Sequence, residues 1–448
     1  MAWAGPISTQ DSTRHSVSRC KLAGSRSNGP CWEEAVADNS CTPTLDGLVG
    51  YDEAVQRLVA KAGRLGGRRE VGLREALGEV LAESVISRID VPGWDYSAMD
   101  GYAVRADECA SAPVTLPVSQ RVPAGAVPSP LAEGTAARIF TGAPIPPGAD
   151  SIVMQEVCEA LDTAVTIGRA VENGENIRRR GEDIALGSEV IAAGTRLAPQ
   201  HIGLAAAVGI DRLSVVRRPR VALFASGDEL VMPGEPLPPG KIYNSNLFTA
   251  TALLQALGCE VVDLGIVEDS LDATRTALAD GASQADLVLA SGGVSVGEED
   301  HVKPAVESLG SLDMWRLAIR PGKPLAFGHI GDVPFIGSPG NPVSLFVTFL
   351  LFVRPYILRL QGREDWQPVF WRARADFDWP RPDRRREFHR GRAYRCDDGQ
   401  IRVAVHPSRS SGVLSSVTWA NGLVVLPESQ KVVAGEEVDF LPFCELLS

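Results

Sequence analysis

Beyond about residue 50, apolar and polar positions alternate in regular patterns. Ala54, Val55, Leu58, Val59, Ala62 and Leu65 recur at steps of three and four, which predicts an amphipathic helix beginning near Tyr51. A second helix is expected over Leu73 to Ala82. Val85 to Val91 alternates like a strand until Pro92-Gly93 breaks it. From Pro92 to Asp183 short runs such as Pro113 to Val118, Ala137 to Phe140 and Ser151 to Met154 are separated by Pro/Gly turns, the pattern of a compact β-rich module. Helical spacing returns at Pro199 to Val208, with Gly209 placed to end the helix. One helical linker unit, residues 46–91 and 184–218, is therefore interrupted by a β-rich insertion, residues 92–183.

Residues 219–362 follow another rhythm. Val221 to Phe224, Val261 to Leu264, Leu287 to Leu289 and Phe335 to Ile336 are short, nearly continuous apolar runs. Helical segments at Asn246 to Leu257, Leu271 to Leu278 and Val302 to Leu309 lie between them. Strands alternating with helices predict right-handed crossovers and a three-layer α/β domain around a mostly parallel sheet. Ligands of such sheets sit beyond the carboxyl ends of the strands. Residues 363–448 return to short strands and turns, a small barrel-like β-domain. Residues 1–45 are rich in Ser, Thr, Asn, Gly and Pro without periodicity, the signature of a disordered extension. The expected fold class is thus multi-domain, α/β plus β.

Charge and composition narrow the function. The 448 residues carry a net charge of −12, which argues against a sequence-independent nucleic-acid binder. The eight cysteines show no zinc-knuckle spacing, and their scatter suits a reducing compartment. No apolar run follows Arg14, Arg19 and Lys21 as a secretory signal would require, and the apolar stretch Leu345 to Val353 is short for a membrane span. A cytoplasmic protein is expected, with no membrane partner.

Four polar segments interrupt the α/β region: Ser226-Gly227-Asp228-Glu229, the run from Ser291 to Asp300, Arg320-Pro321-Gly322-Lys323-Pro324, and the run from Gly337 to Ser344 that opens a long helix. Glycines allow backbone N–H groups to approach an anion, and a helix N-terminus adds a favourable dipole. Arg320 and Lys323 supply fixed positive charge. Asp228, Glu229, Asp269 and Asp300 offer hard oxygens to Mg²⁺. One glycine loop alone is a turn; four around one sheet predict phosphate chemistry.

The motifs are more specific than this. Asp95 to Ala103 (DYSAMDGYA), Thr141 to Pro144 with Met154-Gln155-Glu156, Asn176 to Asp183 (NIRRRGED), SGGVSVGEED, RPGKP and SPGNPVS occur in one order along the chain. In this the sequence resembles the molybdopterin molybdenumtransferases and the C-terminal half of gephyrin, from about Tyr51 onward. The resemblance implies a homodimer that takes adenylylated molybdopterin and molybdate, cleaves the pyrophosphate with Mg²⁺, releases AMP and places molybdenum on the dithiolene sulfurs. Each active site would combine the α/β domain of one subunit with the insertion of the other. Contact with the adenylyltransferase of the same pathway is a further expectation.

By matching positions, Asp100 and Thr141 would face substrate across the subunit boundary, and Asp183 would fix the loop carrying Arg178, Arg179 and Arg180. Glu229, with Asp269 and Asp300 at the metal, would organise Mg²⁺ and the attacking water. Asp228, Gly292, Gly293, Ser295, Gly297, Pro339, Gly340, Asn341 and Pro342 would hold molybdopterin and its pyrophosphate. Arg320, Lys323, Ser344, Arg390 and Ser411 would bind molybdate, a doubly charged oxyanion that needs cations and hydroxyls. Asp228 has an alternative role in holding its turn while Glu229 reaches the ligand. Three departures stand out: Tyr96 replaces the family's usual Asn, Arg316 and Arg320 stand where lysine is common, and Arg409-Ser410-Ser411 replaces Gln-Gly-Ser. The arginine-rich stretch Arg372 to Arg395 contains balancing acids and reads as surface, with Arg390 the exception. The histidines at 201, 301, 329, 389 and 406 lack ligand spacing and are expected to be packing or surface residues. Competing functions are a molybdopterin adenylyltransferase, a gephyrin-like scaffold and a paralogue tuned to tungstate.

Overall fold

The computed structural model describes residues 47–294 and 301–447, apart from the side chains of Met314 and Trp315. Helix α1 (Tyr51–Ala60) buries Tyr51, Ala54, Val55, Leu58 and Val59, the face its spacing predicts. The α/β domain that receives this face is built from β1 (Arg220–Ser226), α2 (Ser245–Ala256), β2 (Glu260–Val267), α3 (Leu271–Gln284), β3 (Leu287–Ser291), α4 (Val302–Leu309), β4 (Gly310–Leu317), β5 (Pro324–Ile330), β6 (Val333–Ser338) and the long helix α5 (Pro342–Leu360). Its sheet runs Leu48–Val49, β4, β5, β6, β3, β1, β2. The four strands β2, β1, β3 and β6 are parallel, with Val221 opposite Leu287 and Val288 opposite Phe335. Strands β4 and β5 add an antiparallel pair that sequence pattern did not reveal.

Both faces of the sheet are covered, so its central strands β1, β3 and β6 are almost wholly apolar. Leu223, Leu289 and Ile336 point into one core with α1, α2 and α5. Their neighbours Phe224, Val288 and Phe335 point into a second core with α3 and α4. Helix α5 is the one helix among the described residues long and apolar enough for a membrane span, yet 94% of it is buried inside the protein. It is the spine of the larger core, with a π-helical turn at Phe349–Val353.

Three expectations need correction. Residues 47–60 do not pack with the linker unit expected from residue 46: Leu48–Val49 pairs with β4, and α1 lies in the α/β core. The helix expected over Leu73 to Ala82 is a three-residue 3₁₀ turn, Leu73–Glu75, followed by a turn at Leu77-Gly78. Gly78 sits at φ +81°, and Val80 and Leu81 bridge to Arg196 and Val215, so tertiary pairing overrides the helical spacing. Strand character across Val85 to Val91 reduces to Val85–Ile86 and a bridge from Val91 to Ile184. The unanticipated strand Arg68–Gly72 pairs with Arg212–Val216 to hold the linker unit together.

The insertion forms a six-stranded sheet in the order Ser151–Met154, Gly101–Val104, Ala136–Ile139, Val114–Val122, Ala164–Ile167, Cys158–Ala160. It has two small cores of its own. At the C-terminal end, β7 (Trp371–Ala375), β8 (Arg386–Arg395), β9 (Ile401–Val405), β10 (Gly422–Leu426) and β11 (Glu437–Pro442) close into a five-stranded barrel through the β8–β10 pairing. Phe388, Val417, Leu423 and Leu441 of this domain belong to the same core as α1 and α5. The barrel and the α/β domain therefore share one hydrophobic interior.

Candidate active site

Strands β1, β3 and β6 each end in a buried serine, Ser226, Ser291 and Ser338, and release a glycine-containing loop beyond it. The loops border a cleft of about 830 Å³ against the barrel. Crowding explains two of the glycines. At Gly292, φ is +93° and a Cβ would lie 2.5 Å from the Ser226 carbonyl oxygen; at Gly322, φ is +99° and a Cβ would lie 2.4 Å from Thr348 Cγ2. Gly293, Pro339, Gly340 and Asn341 also line the cleft, and Pro342 starts α5, whose first turn brings in Ser344. Asn246, absent from the sequence-derived site, ties two loops together: its amide donates to Gly340 O at 2.7 Å and to Ser291 Oγ at 3.0 Å. Its signal was the polar pair Asn244 and Asn246 at the start of an otherwise apolar helix, with Asn244 as N-cap.

One side of the cleft is acidic. Glu229 and Asp269 line it, and Ser226 Oγ donates to Asp269 Oδ1 at 3.2 Å. Asp228 is not part of the lining and accepts the Asp269 amide N–H at 3.4 Å, so it braces the turn. Among the described residues no three acidic, imidazole or thiol groups converge as a ready metal cage. Mg²⁺ commonly rests on one or two carboxylates plus substrate phosphate oxygens, and Asp269, Glu229 and the Ser226 hydroxyl fit that donor set. Ser295, Gly297 and Asp300 lie outside the described residues.

The opposite side is basic, with Arg320, Lys323, Arg385 and Arg409 in the lining. Two carboxylates stand behind them. Asp383 accepts from Arg320 at 3.1 Å and from Arg385 at 3.0 and 2.9 Å. Burial opposes ionisation of Asp383, but these arginine hydrogen bonds outweigh it and hold its carboxyl well below the usual carboxylate range. Glu387, 3% exposed, accepts from Arg409 Nη2 at both of its carboxylate oxygens, 2.8 Å to each. It also accepts from Trp379 Nε1 at 3.1 Å, and the Arg409 guanidinium lies over that indole ring at 4.5 Å. Arg385 was not singled out from the sequence, because acids and bases balance in its stretch, and Arg409 was noted only as a departure from Gln-Gly-Ser.

Arg390, expected at the oxyanion site, lies behind the lining. It is 1% exposed and does not line the cleft. Its guanidinium donates to Ser416 Oγ at 3.0 Å and to the carbonyls of Ser408 and Ser410 at 2.5 and 3.2 Å. It thereby holds the turn that carries Arg409, Ser410 and Ser411 into the cleft. Next to it, His389 is buried, and desolvation pushes its imidazole down to about 4 despite its contact with the His406 carbonyl. It packs as a neutral ring.

The remaining expected residues lie in the insertion, outside this cleft's lining. Asp100 Oδ1 accepts the Thr141 amide N–H at 2.8 Å and the Thr141 hydroxyl at 2.9 Å. Those two bonds, the backbone one first, lower the Asp100 pKa and keep it a carboxylate. Asp183 joins the base of the arginine loop through its backbone N–H, which bonds to Val91 O. The loop's arginines are held by Asp95, bonded to Arg179 and to the Arg180 N–H, by Asp90, bonded to Arg180, and by Glu182, bonded to Arg178.

Comparison with known proteins agrees with this layout. Three family models match in succession: the MoeA N-terminal region (domains I and II) over residues 49–209, a probable molybdopterin binding domain over 222–359, and the MoeA C-terminal region (domain IV) over 372–443. The molybdopterin molybdenumtransferase of Haemophilus influenzae is 41% identical over 384 residues, 84% of this chain and 94% of its own. The chain belongs to the molybdopterin molybdenumtransferase family. The Bacillus subtilis member is 35% identical over 389 residues, covering 85% of this chain and 90% of its own. A crystal structure of the MoeA protein of Pyrococcus horikoshii superposes with a TM-score of 0.77 at 31% identity, over 88% of this chain and all of that one. The family is one of transferases in molybdenum cofactor biosynthesis, and the fold read from the sequence is the fold of its members.

Proposed function

We propose that this cleft transfers molybdenum from molybdate to adenylylated molybdopterin, with release of AMP. The observation that carries the reading is the meeting, in one cleft, of glycine loops from successive strand ends, a wall of four cations and a separate pair of carboxylates. Anions of the substrates are drawn to the basic wall, where forked guanidiniums and the hydroxyls of Ser344 and Ser411 match tetrahedral oxygens. Glu229 and Asp269 hold the other side, positioned to orient water and phosphate oxygens. Mg²⁺ held there would neutralise charge developing on the departing phosphate.

Asp100 and Thr141 present a fixed carboxylate and hydroxyl outside the cleft of their own chain. In a homodimer the insertion of one copy completes the cleft of the other, consistent with the two-fold symmetry most oligomers adopt. The protein acts in the cytoplasm, where its cysteines remain reduced, and receives its substrate from the adenylyltransferase of the pathway. Adenylylation itself and a purely scaffolding role draw no support from relatives that match most of the chain and are named molybdenumtransferases. The test is a reconstituted assay with adenylylated molybdopterin, Mg²⁺ and molybdate. AMP release coupled to molybdenum insertion is the expected result; AMP release indifferent to molybdate refutes the transfer.

A further inference from the structure

The basic wall is not left at its full charge. Of the four cations lining the cleft, only Lys323 has no carboxylate partner among the described residues. Arg320 lies between both acids, 3.1 Å from Asp383 and 3.9 Å from Glu387. Arg385 is bonded to Asp383, and Arg409 is bonded through both oxygens of Glu387. Behind them Arg390 adds a buried charge that meets carbonyls, a hydroxyl and an imidazole, but no carboxylate. The acids are themselves fixed: Glu387 is gripped by the Trp379 indole N–H and by the Asp383 backbone N–H at 3.2 Å. Neither acid lines the cleft, so neither is placed to touch substrate.

We propose that Asp383 and Glu387 are positioning residues that attenuate the basic wall, fixing the forks of Arg320, Arg385 and Arg409 while cancelling part of their charge so that anionic product can leave. Two carboxylates offset half of the lining's positive charge, and this in a partly desolvated cleft where each charge acts strongly on a bound anion. With the wall at full strength, any tetrahedral dianion would be held tightly whatever its chemistry. With the acids present, the forks keep their geometry and binding depends on how well an oxyanion fits them. The proposal rests on the reading of this cleft as the anion site of the transferase.

The experiment compares wild type with Glu387→Gln and Asp383→Asn, amides that keep an acceptor oxygen but lose the charge. Sulfate, an unreactive tetrahedral dianion, and molybdate are titrated calorimetrically against each folded protein, alongside steady-state turnover. Removing one compensating charge several ångströms from the anion is expected to tighten sulfate at least about tenfold. The sulfate-to-molybdate preference should narrow, kcat should fall through slow product release, and sulfate binding should become more salt-sensitive. A merely structural role predicts the opposite sign, because disordered arginines bind anions more weakly. Unchanged or weakened sulfate binding in a variant with wild-type melting temperature overturns the proposal. Should one variant fail to fold, the other, acting on a different arginine pair, decides. Sulfate binding does not depend on the reaction: tightening of sulfate by a chain that transfers no molybdenum would refute the proposed function and leave the attenuation standing.

Discussion

The cleft wall and the insertion present their chemistry in opposite ways. In the wall, the three arginines have structure behind them: Arg409 is clamped by Glu387 and Trp379, and the turn that carries it hangs on buried Arg390. In the insertion, Asp100 is held by one neighbour, Thr141, on a small sheet with its own cores. The first region is preorganised within one chain, as binding of a small oxyanion demands. The second offers a fixed carboxylate outward. Under the proposed function, a chain arranged in this way would divide a site between a rigid receptor and a presented group.

The sharpest way to break that comparison is subunit mixing. Asp100→Ala should abolish molybdenum transfer with native circular dichroism, since the residue is in a surface turn and its loss costs little stability. Lys323→Ala should be impaired at limiting molybdate. Mixed under exchange conditions, the two variants should regain roughly a quarter of wild-type activity, because half the dimers then contain one intact site. No recovery despite proven exchange would mean that each chain uses its own insertion.

The next effect separates the cation that faces the cleft from the one behind it. Lys323→Ala removes a binding charge, so excess molybdate should restore its turnover by mass action. Arg390→Ala leaves two carbonyls and a buried hydroxyl without their donor, at a cost of ~2–3 kcal/mol in unfolding free energy. It also frees the Arg409 turn, so excess molybdate should not restore turnover. Full rescue of Arg390→Ala would return that residue to the oxyanion site.

A smaller effect reports on the packing beneath the wall. His389 has its folded pKa lowered to about 4, below the ordinary value of 6.5. Between these values the unfolded chain binds a proton that the folded chain refuses, so stability rises with pH. The contribution is complete above about pH 6.5 and is lost as pH falls towards 4, by up to ~3 kcal/mol. Urea titrations from pH 7 to 4 should show this slope in wild type and a flatter one in His389→Gln. Smallest of all, removal of residues 1–45 should change turnover by less than about tenfold, an effect below ~1.4 kcal/mol, because the family match starts only at residue 49. A larger loss would give that segment a part in the site.

The parallel half of the sheet and its helices were legible because strands buried on both faces must be apolar, and Val221 to Phe224 and Leu287 to Leu289 are. The antiparallel strand β4 was not, since Ser311, Asp313 and Arg316 interrupt its pattern and its order comes from pairing with β5. Leu73 to Ala82 misled for a related reason: helical spacing was real, but Gly78 and bridges to distant residues decided the backbone. The glycine loops were readable because crowding leaves a composition mark. Arg385 was not, because a charge-balanced stretch looks the same whether it faces water or builds a wall, and Arg409 stood out as a departure without a role. Arg390 was visible as unusual, though its burial could not be read from its position in the stretch.

The insertion leaves the linker unit through neighbouring strands. Val91 bridges Ile184, and Tyr96-Ser97 pairs with Ile177-Arg178. To the rest of the chain, some ninety residues therefore amount to a short hairpin closed by its own hydrogen bonds. Closing a loop of that length costs only slightly more than closing one half as long, and the hairpin base spares the host most of that search. Such a graft can lengthen, shorten or change its surface without disturbing the core shared by α1, α5 and the barrel. Sequence change can therefore accumulate in the insertion while the cleft and the core beneath it stay as they are.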